Sequence, residues 1–206
     1  MAFLSIFKII NVNINIMNKG HIYFIMWVSW AWKWTLINSL KKLNLNFHIP
    51  LSYKSRDKRE FEVDWVDAYF ISTEEFDSWI ENGEYLEYAI VHGVDYYGTK
   101  YDDVILNWIN KWKNVIKELD VLWLKRLMKD KSEFSEYYST IFLNIPVNHL
   151  RERITKRWEN ISEEELKRRE DSAIMEEREA RLLCDYMLDA TQSPEKVLRE
   201  VLDIIN

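Results

Sequence analysis

Residues 21–36 read His-Ile-Tyr-Phe-Ile-Met-Trp-Val-Ser-Trp-Ala-Trp-Lys-Trp-Thr-Leu. His21 to Met26 form a continuous apolar run, the pattern of a strand buried on both faces of a parallel sheet. The next seven residues decide the fold. With glycine in place of Trp27, Trp30 and Trp32 they would read G-V-S-G-A-G-K, the G-x-x-x-x-G-K phosphate-binding loop that leads from a strand into a helix. Such a loop needs glycine because its backbone N–H groups must approach phosphate closely, partly at positive φ. An indole at any of the three positions fills the phosphate space. The stretch spells out a nucleotide site and then obstructs it.

The anomaly runs through the whole chain, which holds ten Trp and four Gly. Ordinary usage of roughly 7% would place about 14 glycines in a chain of this length. The expectation is that most of these Trp stand at glycine positions, the pattern left when UGA codons meaning glycine are translated as tryptophan. The alternative, a real Trp-rich loop, requires several indoles to fall on glycine slots by accident. Trp79 lies inside a helical segment, where glycine would cost about 1 kcal/mol against alanine; it reads as a true tryptophan.

The 206 residues suit one α/β domain, or a domain with a small lobe, and 48% hydrophobic content supports a sizeable core. A net charge of −6 argues against a general nucleic-acid binder. A single cysteine, Cys184, excludes an internal disulfide, fits a reducing cytoplasmic compartment, and reads as a small buried hydrophobe. No segment reaches the roughly 18 apolar residues of a membrane span. Residues 1–16 lack the basic start and small-residue cleavage site of a signal sequence. They are expected to be a non-native upstream extension, with Met17 as the true start. The four histidines suggest neither a metal site nor a catalytic triad.

Periodicity and punctuation predict further strands at Phe47–Tyr53, Tyr69–Ser72, Glu84–Val91, Asn114–Leu119, Ser139–Ile145 and Asp185–Leu188. Helices are expected at Trp34–Leu43, Tyr101–Lys111, Leu122–Lys129 and Val147–Lys156. A charged helical region, Arg151–Arg181, is expected to break near Trp158. Ser72-Thr-Glu-Glu is a capping box for a helix ending at Asn82-Gly83, and Ser193-Pro194 caps a last helix to about Ile205. Strands alternating with helices indicate a doubly wound, mainly parallel sheet.

Beyond the phosphate loop, four ordered segments carry chemistry. Leu51-Ser-Tyr-Lys-Ser-Arg-Asp-Lys-Arg-Glu resembles S-x-x-T-R-x-x-R and continues into Glu62-Val-Asp-Trp-Val-Asp, matching E-V-x-G-x-D. Asn82-Gly-Glu-Tyr-Leu-Glu-Tyr-Ala is followed by Tyr96-Tyr-Gly-Thr. Val115-Ile-Lys-Glu-Leu-Asp-Val-Leu-Trp resembles L-D-I-D-x-Q-G, and Leu150-Arg-Glu-Arg-Ile-Thr-Lys-Arg-Trp resembles L-x-x-R-L-x-x-R-G. Together these segments resemble the guanylate kinase family over residues 20–206.

The resemblance implies a P-loop NTPase-type α/β fold. Its core would be residues 17–51, 100–150 and 171–206, with a GMP-binding subdomain over about 52–99 and a helical lid over about 151–170. It implies transfer of the ATP γ-phosphoryl group to GMP, with Mg²⁺ accompanying ATP. Trp27, Val28, Ser29, Trp30, Ala31, Trp32, Lys33, Trp34 and Thr35 would bind ATP. Lys33, Arg153 and Arg157 would be catalytic. Ser52, Arg56, Arg59, Tyr69 and Tyr97 would take the GMP phosphate, Arg56 and Arg59 as a pair of bidentate forks. Glu87 and Thr99 would read guanine. Asp120 would contact the base or the metal's water shell, Glu118 that shell too, and Arg168 or Arg169 would add a third arginine.

The sequence departs from the family at Ala68, where a tyrosine is usual, at Glu118, usually aspartate, and at Leu122, usually glutamine. Trp65, Trp112, Trp123 and Trp158 fall on family glycines; Trp34 and Trp108 are open. Neither nucleic acid nor membrane is an expected partner, and a monomer or homodimer would serve. Two other readings stay open. One is an inactive guanylate-kinase-like binding module, against which Lys33, Arg153 and Arg157 speak. The other is a kinase for another nucleoside monophosphate, suggested by G-K-G-T at 32–35 and opposed by Glu87.

Overall fold

In the computed structural model the strand at the head of the quoted stretch is β1, Ile22–Trp27, with Phe24, Ile25 and Met26 buried. The structure describes residues 20–28, 33–43, 46–91, 94–111, 113–130, 132–157 and 161–205. Expectations for residues 1–19, for Ser29 to Trp32, and for Trp112 and Trp158 fall outside these. The chain divides into two compact units, one containing His48–Val115, the other Ile22–Phe47 and Ile116–Asn206.

A five-stranded sheet lies mostly in the second unit. Its strands are β1, β2 (Phe47–His48), β7 (Asn114–Glu118), β8 (Tyr138–Asn144) and β9 (Tyr186–Asp189), in the order β2-β7-β1-β8-β9. β1 and β8 run parallel from Ile22↔Tyr138 to Trp27↔Leu143, and β8 and β9 are also parallel. β1 is central and β8 buries Ile141, Phe142 and Leu143 completely, so these strands read as unbroken apolar runs. Asp185 fixes the β8–β9 entry: one carboxylate oxygen accepts both the backbone N–H and the hydroxyl of buried Thr140, at 2.8 and 2.7 Å.

Helices α1 (Lys33–Lys42), α3 (Val121–Asp130), α4 (Val147–Arg157), α5 (Glu163–Leu183) and α6 (Pro194–Ile205) belong to the same unit. α6 starts as its sequence predicts: Ser193 Oγ accepts from Lys196 N–H at 3.3 Å and Pro194 opens the helix. Val197, Val201 and Ile205, spaced by four, are its buried face.

The first unit holds a four-stranded sheet in the order β4-β3-β6-β5, from β3 (Tyr53–Lys54), β4 (Tyr69–Phe70), β5 (Tyr85–Val91) and β6 (Asp95–Lys100). Between β4 and β5 runs α2, Thr73–Glu81, with Ser72 Oγ accepting from Glu75 N–H at 3.1 Å as the capping box requires. Gly83, at φ 69°, ends it. Phe76 of α2 is fully buried and stacks on Tyr85 at 4.3 Å and Tyr96 at 5.1 Å. This packing needs glycine at 98, since a Cβ there would meet the Tyr85 ring at 2.8 Å.

Two expectations need correction. Phe47–Tyr53 is not one strand: β2 stops at His48 and β3 begins at Tyr53 in the other sheet, because Pro50 has no N–H to give a ladder. Tyr101–Lys111 is not a regular α-helix. Asn107 N–H reaches back five residues to Asp102 C=O at 3.0 Å, and a separate short 3₁₀ turn covers Ile109–Lys111. Trp108, in the break, stacks flat on His48 at 3.8 Å and interrupts the helical run.

Candidate functional site

In the first unit, β3 carries Lys54 at the edge of a charged loop. Glu62, only 9% exposed, is the hub of that loop. Its carboxylate accepts Arg56 Nη1–H at 2.7 Å on one oxygen and Arg56 Nη2–H at 2.6 Å on the other. It also accepts Lys54 Nζ at 3.1 Å and the backbone N–H of Arg59 at 2.9 Å. These donors, Arg56 foremost, hold the Glu62 carboxyl well below the usual carboxylate range and push the Arg56 guanidinium up. Arg56 Nε–H donates to the Tyr97 hydroxyl at 2.8 Å, and its guanidinium lies over the Phe70 ring at 5.5 Å.

Across the β5–β6 ladder Glu87 faces Thr99 as a register pair, and the fully buried Thr99 hydroxyl donates to Glu87 Oε1 at 2.5 Å. Tyr97 and Thr99, two residues apart on β6, share one face of the sheet. The β6 residues Tyr97 and Thr99 therefore hold Arg56 and the Glu87 carboxylate of β5. Such a surface can hold a phosphate monoester and a base that presents hydrogen-bond donors.

Of the remaining residues expected here, Ser52 is half-buried and its carbonyl accepts the backbone N–H of Tyr69 at 2.9 Å. Tyr69 stacks on Tyr53 at 4.5 Å, while Ala68 is buried and has no hydroxyl to offer. The Arg59 side chain is exposed. Arg56 departs from the expected picture, in that its fork is already turned onto Glu62. Glu62, Lys54 and the Tyr53–Asp103 hydrogen bond of 3.0 Å received no role from the sequence. The available signal was Phe61-Glu62-Val63, an acid between apolar residues inside a charged loop.

In the second unit Trp27 ends β1, Val28 is buried, Lys33 opens α1 and half-buried Thr35 follows in its first turn. Glu118 ends β7. Asp120 caps α3, its Oδ1 accepting Leu122 N–H at 2.7 Å. Arg153 of α4 donates from Nη2 to the Ala190 carbonyl at 2.9 Å; Arg157 is the last residue of that helix. Arg151 straps α4 to α5 through Glu163 at 2.6 Å and Glu170 at 3.0 Å. Arg168 and Arg169 both pair with Glu165, Arg168 being the more exposed, at 71% against 20%. Among the described residues no group of three or more His, Cys, Asp or Glu is placed to hold a metal ion. None of their helices is long and apolar enough to cross a membrane.

The suspect Trp residues separate by environment. Trp79 packs under Lys100, whose ammonium sits 3.4 Å from the ring centroid, and Trp108 is stacked on His48. Trp65 is 74% exposed at φ 66°, the one positive-φ residue other than glycine among those described.

A mainly parallel sheet whose first strand runs into a phosphate-loop pattern, in one chain with a small mixed sheet carrying Arg56, Glu87, Tyr97 and Thr99, defines a nucleotide-kinase class of α/β protein. The guanylate kinase family model matches residues 31–206, and the chain belongs to that family. It is 36% identical over 160 residues to the guanylate kinase of Clostridium tetani, covering 78% of this chain and 74% of that protein. The guanylate kinase of Carboxydothermus hydrogenoformans is 33% identical over 141 residues, covering 68% of this chain and 67% of that one. The crystal structure of guanylate kinase from Anaplasma phagocytophilum shares the fold, with a TM-score of 0.66 at 24% identity over 91% of this chain and 85% of that chain.

Proposed function

We propose that this chain transfers the γ-phosphoryl group of ATP to GMP, giving ADP and GDP. The observation that carries the reading is the Glu87–Thr99 pair, two positions along β6 from the tyrosine that holds Arg56. The guanine N1–H and amino group donate to the Glu87 carboxylate, and adenine offers no such donor pair. Thr99 orients that carboxylate and adds a base contact. Ser52, Arg56, Arg59, Tyr69 and Tyr97 take the GMP phosphate, within a subdomain of about 52–99.

On the ATP side, the backbone of residues 27–35 cradles the phosphates and Lys33 neutralises the β/γ oxygens. Arg153 and Arg157, with Arg168 or Arg169, belong to a lid over about 151–170 that closes on the transferring group. Positioning and charge stabilisation carry most of the catalysis, so no covalent intermediate is required. Mg²⁺ accompanying ATP would supply charge neutralisation at the phosphates. The donor set suits that role: Glu118 and Asp120 are carboxylates that would hold the ion's water shell. A cytoplasmic monomer or homodimer fits this activity.

We further propose that Trp27, Trp30, Trp32 and Trp65 stand where the working protein has glycine, as UGA-encoded glycine would produce. The positive φ of exposed Trp65 supports this reading independently of the phosphate loop. The test is a coupled assay of ADP and GDP formation from ATP and GMP. It uses protein carrying Trp27→Gly, Trp30→Gly, Trp32→Gly and Trp65→Gly. GMP turnover far above AMP turnover is expected; no turnover with GMP rejects the function.

A further inference from the structure

A guanidinium has five N–H donors. In Arg56 four are already committed within the protein: Nε–H to Tyr97, one Nη1–H to the Asp57 carbonyl at 2.7 Å, and one each from Nη1 and Nη2 to the two Glu62 oxygens. One Nη2–H remains. Arg56 therefore cannot present a fork to a phosphate while this arrangement holds. It presents one hydrogen on a guanidinium fixed on several sides, with the Phe70 and Tyr97 rings at 5.5 and 5.9 Å. The residue that imposes this is Glu62, which also draws in Lys54 and the backbone N–H of Arg59.

We propose that Glu62 is a positioning residue for the phosphate monoester: its carboxylate gathers Lys54, Arg56 and the Arg59 backbone into one preorganised anion-binding corner. This rests on the reading of the corner as the GMP phosphate site. Three cationic side chains in one loop repel one another, and each loses rotamer freedom on capture of a ligand. A nearly buried anion that touches two of them and the backbone of the third meets that cost before the ligand arrives. Opposed to this is the direct charge effect, since Glu62 places a negative charge near a dianion. Removing it would raise the local positive potential. The two effects predict opposite signs, which makes the inference decidable.

The experiment is calorimetric titration of the full chain with GMP, paired with ligand-observed NMR titration with guanosine, which lacks the phosphate. Glu62→Gln keeps the size but loses the charge and presents an amide donor to the arginine fork. GMP affinity is expected to fall at least tenfold, with guanosine binding unchanged within twofold. Glu62→Asp restores the carboxylate on a shorter arm and is expected to recover part of the loss. An equal or tighter GMP affinity in Glu62→Gln overturns the proposal in favour of the charge effect. A parallel loss of guanosine binding also overturns it, because a collapsed subdomain would act on both ligands. If Glu62→Gln fails to fold, Glu62→Asp decides alone: at least threefold weaker GMP binding with guanosine intact is expected, and unchanged GMP affinity overturns the proposal. A parent chain that binds guanosine but gains nothing from the phosphate overturns it as well. A parent chain that binds neither ligand rejects the functional reading itself and the positioning role with it.

Discussion

Thr99 and Glu87 sit opposite one another on β6 and β5, and the fully buried Thr99 hydroxyl donates to the Glu87 carboxylate at 2.5 Å. The carboxylate is thereby oriented by a group that cannot move away. In the glycine-bearing protein, Glu87→Gln is expected to lose one charge-assisted hydrogen bond to guanine. That loss costs about 1.5–3 kcal/mol. It corresponds to a fall of roughly 10- to 150-fold in kcat/KM for GMP. The GMP-over-AMP ratio should fall with it. An unchanged ratio would mean that the base is read elsewhere.

Arg56→Ala should behave differently. It breaks the Glu62 network and would remove the proposed phosphate contact without touching Glu87. GMP use should decline while preference between bases stays the same. Steady-state kinetics with GMP and AMP separate the two variants, and a shift in base preference by Arg56→Ala would contradict the assignment.

The three indoles of the phosphate-loop pattern should block ATP. In the proposed loop each would remove a positive-φ option and occupy the space that phosphate needs. Calorimetry is expected to show negligible ATP binding by the chain as it stands and measurable binding once Trp27, Trp30 and Trp32 are replaced by glycine. Equal affinities would reject the glycine reading of the loop.

Trp65 gives a test that needs no ligand. At φ 66° a side chain with a Cβ is strained by about 1 kcal/mol or more, and glycine is not. Trp65→Ala and Trp65→Gly both remove the ring, so comparing them isolates the backbone. The glycine variant should be the more stable by about 1 kcal/mol, a Tm roughly 2–4 °C higher for a chain of this size. An alanine variant of equal or higher Tm would remove the structural support for glycine at 65.

His48 makes the fold acid-sensitive. Burial, reinforced by Lys113, lowers its pKa from 6.5 to about 4. Between those values the unfolded chain takes a proton that the folded chain refuses, so stability falls as pH drops through this window and flattens below it. His48→Phe preserves a ring against Trp108 and should reduce the loss of Tm between pH 7 and pH 4.5. An identical loss in the variant would place the sensitivity elsewhere. Glu62 acts at lower pH: its depressed pKa contributes stability above the ordinary carboxylate value, and that contribution disappears as pH falls further.

By itself the sequence determined the parallel α/β architecture and most element positions, because apolar runs such as Ile22–Met26 and Ile141–Leu143 carry strand burial in their composition. Caps at Ser72 and Ser193 were equally legible, since a helix start is a local hydrogen-bonding event within four residues. The candidate site, with Arg56, Glu87, Tyr97 and Thr99, was legible only through the resemblance of their segments to the guanylate kinase family. Tertiary structure alone decided that Arg56 turns its fork to Glu62, that Tyr101–Lys111 breaks around Trp108, and that Trp65 occupies a left-handed position while Trp79 and Trp108 are packed. Two of those outcomes involve partners from distant parts of the chain, His48 against Trp108 and Tyr97 against Arg56. A hydrogen bond or ring stack across 40 or more residues leaves no periodic trace in the residues that form it.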